Sequence, residues 1–292
     1  MKNFGLKIGF HVSISGSITN AIINAEDLNC TAFQIFSRNP RGWNAKRLGG
    51  EDIRSFKKMI DESYIDKRFV MVHMPYLPNL ASPDEESYYK SKSTLYEEIT
   101  RCSLLGISSI VLHLGSHLGS GKQNGINQIV NACNFATDTF KSTHKRHVAL
   151  NIILENSSGQ KNSIGSKFEE IRVLLDQLND KKYAVCLDTC HAFAAGYDLR
   201  TEEEVINVFK KFDDIIGLRN LKVLHLNDSK GQLNENKDRH EHIGLGSIGK
   251  QGMKQILKIK YLKQIPIIME TPVDNIRGNK DNMKAVVELF NN

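Results

Sequence analysis

Eight short apolar runs are spaced along the 292-residue chain, and seven of them end in an imidazole or a carboxylate: His11, His73, His113, Glu155, Asp188, His225 and Glu270. Two further groups of the same kind lie nearby. Asp188 and His191 stand three apart in DTCH, and Asp238 and His240 stand two apart in DRH. Any one of these side chains alone reads as a hydrogen-bonded pocket residue or an ion-pair partner. Gathered in one place away from water, they are costly unless paired with one another or with cations. Imidazole nitrogen mixed with carboxylate oxygen, without thiolate, suits Zn2+, Mn2+ or Fe2+ in a hydrolytic site better than a structural zinc. The chemistry implied is metal-assisted hydrolysis.

Whether these groups gather depends on the elements that carry them. The runs are LKIGFHV (6–12), TAFQIF (31–36), FVMVHM (69–74), SIVLHLG (109–115), ALNIILE (149–155), YAVCLD (183–188), LKVLHLN (221–227) and IPIIME (265–270). Between them, apolar residues recur at helical spacing: Ile18, Ala21, Ile22, Ala25 and Leu28; Phe168, Ile171, Leu174, Leu175 and Leu178; Val205, Val208, Phe209 and Phe212. Such stripes bury one face of a helix against a sheet. Thr201 with Glu204 fits a capping box, and Gly106 and Gly217 mark helix ends. Eight strand–helix units imply parallel pairing and predict an α/β fold closed as a (β/α)8 TIM barrel, one domain over 1–292. In that fold the strand ends converge on the face where barrel enzymes keep their active sites. An open doubly wound sheet is the competitor, and the missing Gly-x-Gly-x-x-Gly turn after the first strand argues against its dinucleotide-binding version. The polar stretch 230–243 exceeds a usual strand-to-helix loop, and loops of that kind are often functional.

The segments FHVS (10–13), VHMPYLPNLASP (72–83), LHLGSH (112–117), LEN (154–156), LDTCHAFAAGYDLRT (187–201), HLNDSK (225–230), DRHEHIGLGSIG (238–249) and METP (269–272) resemble the endonuclease IV family, in order and over nearly the whole chain. The resemblance implies a DNA-repair endonuclease that hydrolyses the phosphodiester 5′ to abasic sites in double-stranded DNA and leaves a 3′-hydroxyl, with 3′-phosphatase or 3′-diesterase trimming as a companion activity. It implies a cluster of three zinc ions, with Mn2+ or Fe2+ as substitutes. His73 and His113 would hold one ion, bridged by Glu155 to a second held by Asp188, His225 and Glu270; His191, Asp238 and His240 would hold the third. Glu155 and Glu270 would act at the reacting centre. The family's damage-recognition arginine and tyrosine match Arg41 in NPRGW and Tyr76 in HMPY. Trp43 reads as packed beneath that loop, with a place against DNA as the alternative. Leu245 stands where the family usually has an acidic residue.

The remaining features narrow the class. The formal net charge of +6 and pI near 8.9 favour a polyanion only mildly. No run approaches the 18 or more apolar residues of a membrane span, and the N-terminus shows no cleavage site, so an intracellular, cytoplasmic protein is expected, with a nuclear or organelle address open in a nucleated cell. A monomer without obligate protein partner is expected. The five cysteines, Cys30, Cys102, Cys133, Cys186 and Cys190, are odd in number and irregular in spacing, which argues against a disulfide framework, and Cys186 and Cys190 read as strand and turn residues rather than ligands. His11 and His117 are candidates for supporting the ligands, whereas His144, His147 and His242 read as surface or loop residues. GLGSIG (244–249) reads as a turn after the third ligand group. A sugar isomerase or epimerase on the same barrel is the main rival, and a catalytically dead nucleic-acid-binding protein the second. The third ligand group and the Arg41 and Tyr76 loops speak against the first, and the complete ligand set against the second.

Overall fold

A computed structural model describes residues 5–144 and 149–291; His147 lies outside them. The strands are β1 (Lys7–Phe10), β2 (Phe33–Phe36), β3 (Val70–His73), β4 (Ser109–His113), β5 (Asn151–Glu155), β6 (Tyr183–Asp188), β7 (Leu221–His225), β8 (Asp228–Ser229), β9 (His240–Glu241) and β10 (Pro266–Met269). The helices are α1 (Asn20–Asp27), α2 (Gly50–Glu62), α3 (Glu85–Leu105), α4 (Lys122–Thr143), α5 (Phe168–Leu178), α6 (Thr189–Ala194), α7 (Glu202–Ile215), α8 (Gly249–Leu257) and α9 (Asn279–Asn291). Eight strands form one parallel sheet in the order β1-β10-β7-β6-β5-β4-β3-β2. Between its two end strands, Thr31 N–H donates to the Ile8 carbonyl at 2.8 Å and Val12 N–H to the Gln34 carbonyl at 2.8 Å, and His11 bridges Gln34 in parallel. The predicted barrel is therefore the observed one. The short ribbon β8–β9 is antiparallel and ties together the ends of the long loop 230–239.

The expected stripes do what helical periodicity requires. Ile171, Leu174 and Leu178 of α5 and Val205, Val208, Phe209 and Phe212 of α7 are buried in the shell between helices and sheet. Thr201 caps α7 by accepting from Glu204 N–H at 3.3 Å. Gly106 ends α3 at φ 77°, a conformation that favours glycine.

A second apolar cluster, separate from that shell, consists of Ala32, Met71, Val111, Ile153, Ala184, Cys186, Val223 and Ile268. These residues fill the barrel lumen, because successive side chains on a strand alternate between its faces. Two residues further along the same strands stand His73, His113, Glu155, Asp188, His225 and Glu270. The alternation that points the apolar layer inward therefore points the polar layer inward directly above it.

Closure between β1 and β2 leaves no room for a side chain at Gly9. A Cβ there would sit 1.8 Å from the Ala32 carbonyl oxygen and 2.8 Å from the Cys30 Cβ. We expect Gly9→Val to cost about 3 kcal/mol or more, since overpacking against backbone cannot relax by a rotamer change. Chemical denaturation would measure it, and an unchanged midpoint would show that the two strands can part without penalty.

Candidate functional site

The inward polar layer forms one continuous cluster. Glu155 is its hub, with a side chain 1% exposed. Its Oε2 lies 3.1 Å from His73 Nε2 and 3.0 Å from His113 Nε2, while its Oε1 lies 2.9 Å from His225 Nδ1. One carboxylate thus faces two groups of donors. His225 Nδ1 is also 3.5 Å from Glu270 Oε2 and 3.9 Å from Asp188 Oδ2. Further out, His191 Nε2 and His240 Nε2 approach Asp238 Oδ1 at 3.2 and 3.3 Å. Asp188 Oδ2 is 3.8 Å from His240 Nε2, which links this outer group to the inner ones. All nine side chains singled out in the sequence as metal ligands are brought together, in groups whose donor atoms could each hold one ion: His73, His113 and Glu155; Glu155, Asp188, His225 and Glu270; His191, Asp238 and His240.

Local structure aims these side chains. Asp188 is the N-cap of α6, accepting from His191 N–H at 2.7 Å, which places His191 back over the strand end. His73 Nδ1 donates to the Met74 carbonyl at 2.7 Å, His191 Nδ1 to the Asn156 carbonyl at 2.9 Å, and His240 Nδ1 to the Glu270 carbonyl at 3.0 Å. A ring that donates from Nδ1 to a carbonyl presents a bare Nε2, the form in which a histidine ligates a metal. Nε2 of both His191 and His240 is buried and turned to the Asp238 carboxylate, at 3.2 and 3.3 Å, without a well-directed hydrogen bond. Imidazole nitrogens converging with carboxylate oxygens in this way form a donor set that fits divalent cations.

The electrostatics agree with that fit. Burial alone would raise the Glu155 pKa, but His113 and His225 pull it well below the usual carboxylate range. Burial would likewise raise Glu270, which His225, His11 and His73 hold well below. Asp238 is brought down to about 2 against burial by His191 and His240. Burial works the other way on the imidazoles, yet His113 is held above its ordinary value by Glu155, and His191 well above by Asp188 and Asp238. Without cations the centre is a set of ion pairs. Cys186 and Cys190 lie beside it, and burial pushes both thiols up to about 12.

Several residues that the sequence did not single out hold this arrangement. Gln34, fully buried on β2, contacts Glu270, His11 and His225. Asn227 donates to Asp188 Oδ2 at 2.6 Å and accepts from Glu270 N–H at 2.8 Å. Asn156 accepts from Asp188 N–H at 2.6 Å. Asp228 receives the backbone N–H groups of Ser229, Gly244, Gly246, Ile248 and Gly249, and so fixes the GLGSIG turn beside the ribbon. A Cβ at Gly246 would lie 2.5 Å from Asp228 Oδ1, so this turn needs a glycine there. Leu245 itself is 45% exposed.

The smaller expectations divide. His11 does support the cluster, at 3.3 Å from Glu270 Oε1. His117 does not: its Nδ1 accepts from Gly119 and Gly121 N–H in a local turn. His144 is half-buried against Phe140 at the end of α4. His242 is a correction. Read as a surface or loop residue, it does lie in a loop but is fully buried, bonded to Asp274 at 3.0 Å and Asn282 at 3.1 Å, because it fastens the loop and helix after β10 to the segment after β9.

Arg41 and Tyr76 sit on adjoining exposed loops, joined where Tyr76 N–H donates to the Pro40 carbonyl at 3.2 Å. Trp43 is half-buried, its carbonyl held by Arg38 at 3.3 Å and its ring approached by Lys90. Arg38 and Ser37 in turn bond the buried carboxylate of Glu98 on α3, and Arg101 holds the Lys46 carbonyl, so the whole loop is pinned to a helix. Tyr76 is 58% exposed, 6.0 Å from His113 between ring centres. Desolvation, then the charges of Glu270, Glu155 and Asp238, push its phenol pKa upward. A cleft of about 270 Å³ runs from Tyr76 and Leu77 past His113, Glu155, His191 and Asp238 to Gln160 and Lys161.

A family model described as a xylose isomerase-like TIM barrel matches residues 22–292. A protein of Nitrosopumilus maritimus named probable endonuclease 4 is 51% identical over 97% of this chain and 100% of its own length. The crystal structure of endonuclease IV from Thermus thermophilus superposes with a TM-score of 0.83 at 31% identity, over 98% of this chain and 99% of that one. A D-tagatose 3-epimerase-like protein shares the fold at a TM-score of 0.70 and 18% identity, over 98% of each chain. On the nearly full-length matches to the probable endonuclease 4 and to the endonuclease IV structure, the chain belongs to the endonuclease IV family of the xylose isomerase-like TIM barrels.

Proposed function

We propose that the chain is a DNA-repair endonuclease that hydrolyses the phosphodiester 5′ to an abasic site in double-stranded DNA and leaves a 3′-hydroxyl. The observation that carries this reading is the cluster itself: nine imidazole and carboxylate side chains at the mouth of the barrel, in three groups, two of which share Glu155. His73, His113 and Glu155 would hold one divalent ion, Glu155, Asp188, His225 and Glu270 a second, and His191, Asp238 and His240 a third. Bound there, zinc supplies a nucleophile at neutral pH and neutralises charge on attacking and leaving oxygens. Mn2+ or Fe2+ would suit the same donors.

The protein's own groups do the rest. Glu155 and Glu270, ionised at neutral pH, keep the reacting centre rigid through the histidines and amides around them. The outer group, His191, Asp238 and His240, would serve the leaving 3′-oxygen; its Asp238 side chain, 36% exposed, lines the cleft. Arg41 and Tyr76 reach from the pinned loops above the cleft. An abasic nucleotide has no base to stack, so its extrusion costs less than flipping a paired base, and these side chains would fill the gap left in the duplex. Trimming of blocked 3′ ends would use the same centre on the same bond type.

The test is incision of a labelled duplex carrying one synthetic abasic site, with intact duplex and a ketose–aldose sugar pair assayed in parallel. Metal-dependent cutting on the 5′ side supports the reading. No cutting by folded, metal-loaded protein, with turnover of the sugar, would replace it by the epimerase reading. Tyr76→Ala should lower discrimination between abasic and intact duplex about tenfold, the worth of one aromatic contact to DNA, while bound metal stays the same. Discrimination equal to wild type would remove Tyr76 from damage recognition.

A further inference from the structure

Among the described residues of the barrel's polar layer, the place above Ala32 on β2 is taken by an amide, that of Gln34. Gln34 is fully buried, and both ends of its amide are used. Its Nε2 is 2.7 Å from Glu270 Oε1 and 3.0 Å from His11 Nδ1, and its Oε1 is 3.0 Å from His225 Nε2. An ionised carboxylate only accepts, so the nitrogen must face Glu270 and the oxygen must face His225. His225 must then carry its hydrogen on Nε2. The nitrogen it turns to Glu155, Glu270 and Asp188 is Nδ1.

That is the reverse of its neighbours. His73, His191 and His240 spend Nδ1 on backbone carbonyls and present Nε2. His225 stands on the strand itself, fully buried, with the opposite nitrogen forward, and the amide oxygen of Gln34 is the acceptor that keeps it so. We propose that Gln34 is a positioning residue that locks His225 into presenting Nδ1 and, with its other end, holds one oxygen of Glu270 in place, so that the second ligand group is preset before any ion enters. This rests on the metal reading proposed above. Both functions need the amide: an acceptor for His225 and a donor for Glu270 on one planar group.

Two substitutions separate the two ends. Gln34→Met keeps length and volume and removes both contacts. Gln34→Glu keeps an acceptor for His225 but sets a carboxylate against Glu270. Three readouts apply to each: zinc affinity by competition with a chelator, the 1H–15N pattern of the histidine rings in zinc-loaded protein, and kcat and KM for abasic duplex. The expected result for Gln34→Met is a 10–100-fold loss of affinity for one zinc ion, the range for removing an outer partner of a metal ligand, with kcat lowered and KM unchanged. The Nε2–H, Nδ1-bound ring pattern of His225 should disappear. In Gln34→Glu that pattern should persist while kcat still falls. Metal-free melting temperatures close to wild type would show that neither variant acts through the fold.

Wild-type zinc affinity, ring pattern and kcat in both variants would overturn the proposal and leave the nuclease reading standing. A wild-type protein that binds zinc but fails to incise would overturn the nuclease reading, with the affinities and ring patterns still deciding the role of Gln34. A wild-type protein that takes up no zinc overturns both.

Discussion

Glu155→Gln should reduce incision by roughly 10³-fold or more, the scale seen when a central charge-stabilising group is lost from a site that works as a unit. The reason lies in how many partners it serves. Its two oxygens face His73 and His113 on one side and His225 on the other, and its side chain is 1% exposed. Glutamine keeps the shape but replaces one acceptor oxygen by a donor N–H. That donor would point at ring nitrogens poised to bind cations and would remove a negative charge from between two ion sites. Both inner groups should then lose metal, while the outer group of His191, Asp238 and His240, which does not include Glu155, should keep its ion. Metal analysis alongside the rate measurement checks this. Full activity with unchanged metal content would show that Glu155 is a structural ion-pair partner only.

The barrel and the polar cluster at its mouth were legible in the chain for one physical reason. A parallel barrel strand is mostly apolar along its length and turns charged chiefly where it ends, so most of the ionisable groups announce themselves at the end of a run. His73, His113, Glu155, Asp188 and His225 are the last residues of their strands, and His11 and Glu270 lie one residue beyond theirs. Gln34 escaped because β2 runs on to Phe36, and a neutral amide inside an apolar strand carries no signal of charge. The step of two from Ala32 to Gln34, matching Met71 to His73 and Ile153 to Glu155, is the register that would have exposed it. Asn156 and Asn227 stand just after Glu155 and His225 in LEN and HLN but act on the neighbouring strand ends, on Asp188 and on Glu270, and sequence spacing does not report such pairings. His242 was misread for a related reason. The residues before it, DRHE, are polar, but its partners Asp274 and Asn282 come from the loop and helix after β10.

Stripping the metals by prolonged chelation should abolish incision, restored by zinc or manganese, and leave the barrel folded, because its lumen and its helix–sheet shell are apolar. The pH dependence of that metal-free state has a definite sign. Glu155, Glu270 and Asp238 have folded pKa values below their ordinary range, so their stabilisation is present above about pH 4 and is lost as pH falls through the depressed values. His113, His191 and His225 have raised values, so their stabilisation is complete below about pH 6.5 and is lost as pH rises through the raised values. The metal-free protein should therefore be most stable in the mildly acidic window between those limits. An arriving ion must displace protons from these same imidazoles, so its affinity should rise with pH, about tenfold per pH unit for each proton displaced, until the imidazoles are bare. The margin by which the loaded protein out-melts the stripped one should accordingly widen from pH 5.5 to pH 8. Melting curves with and without zinc across that range, and calorimetry in buffers of different ionisation enthalpy, would read both effects. A margin that narrows with rising pH, or binding that releases no protons, would mean that the ions sit elsewhere than among these histidines.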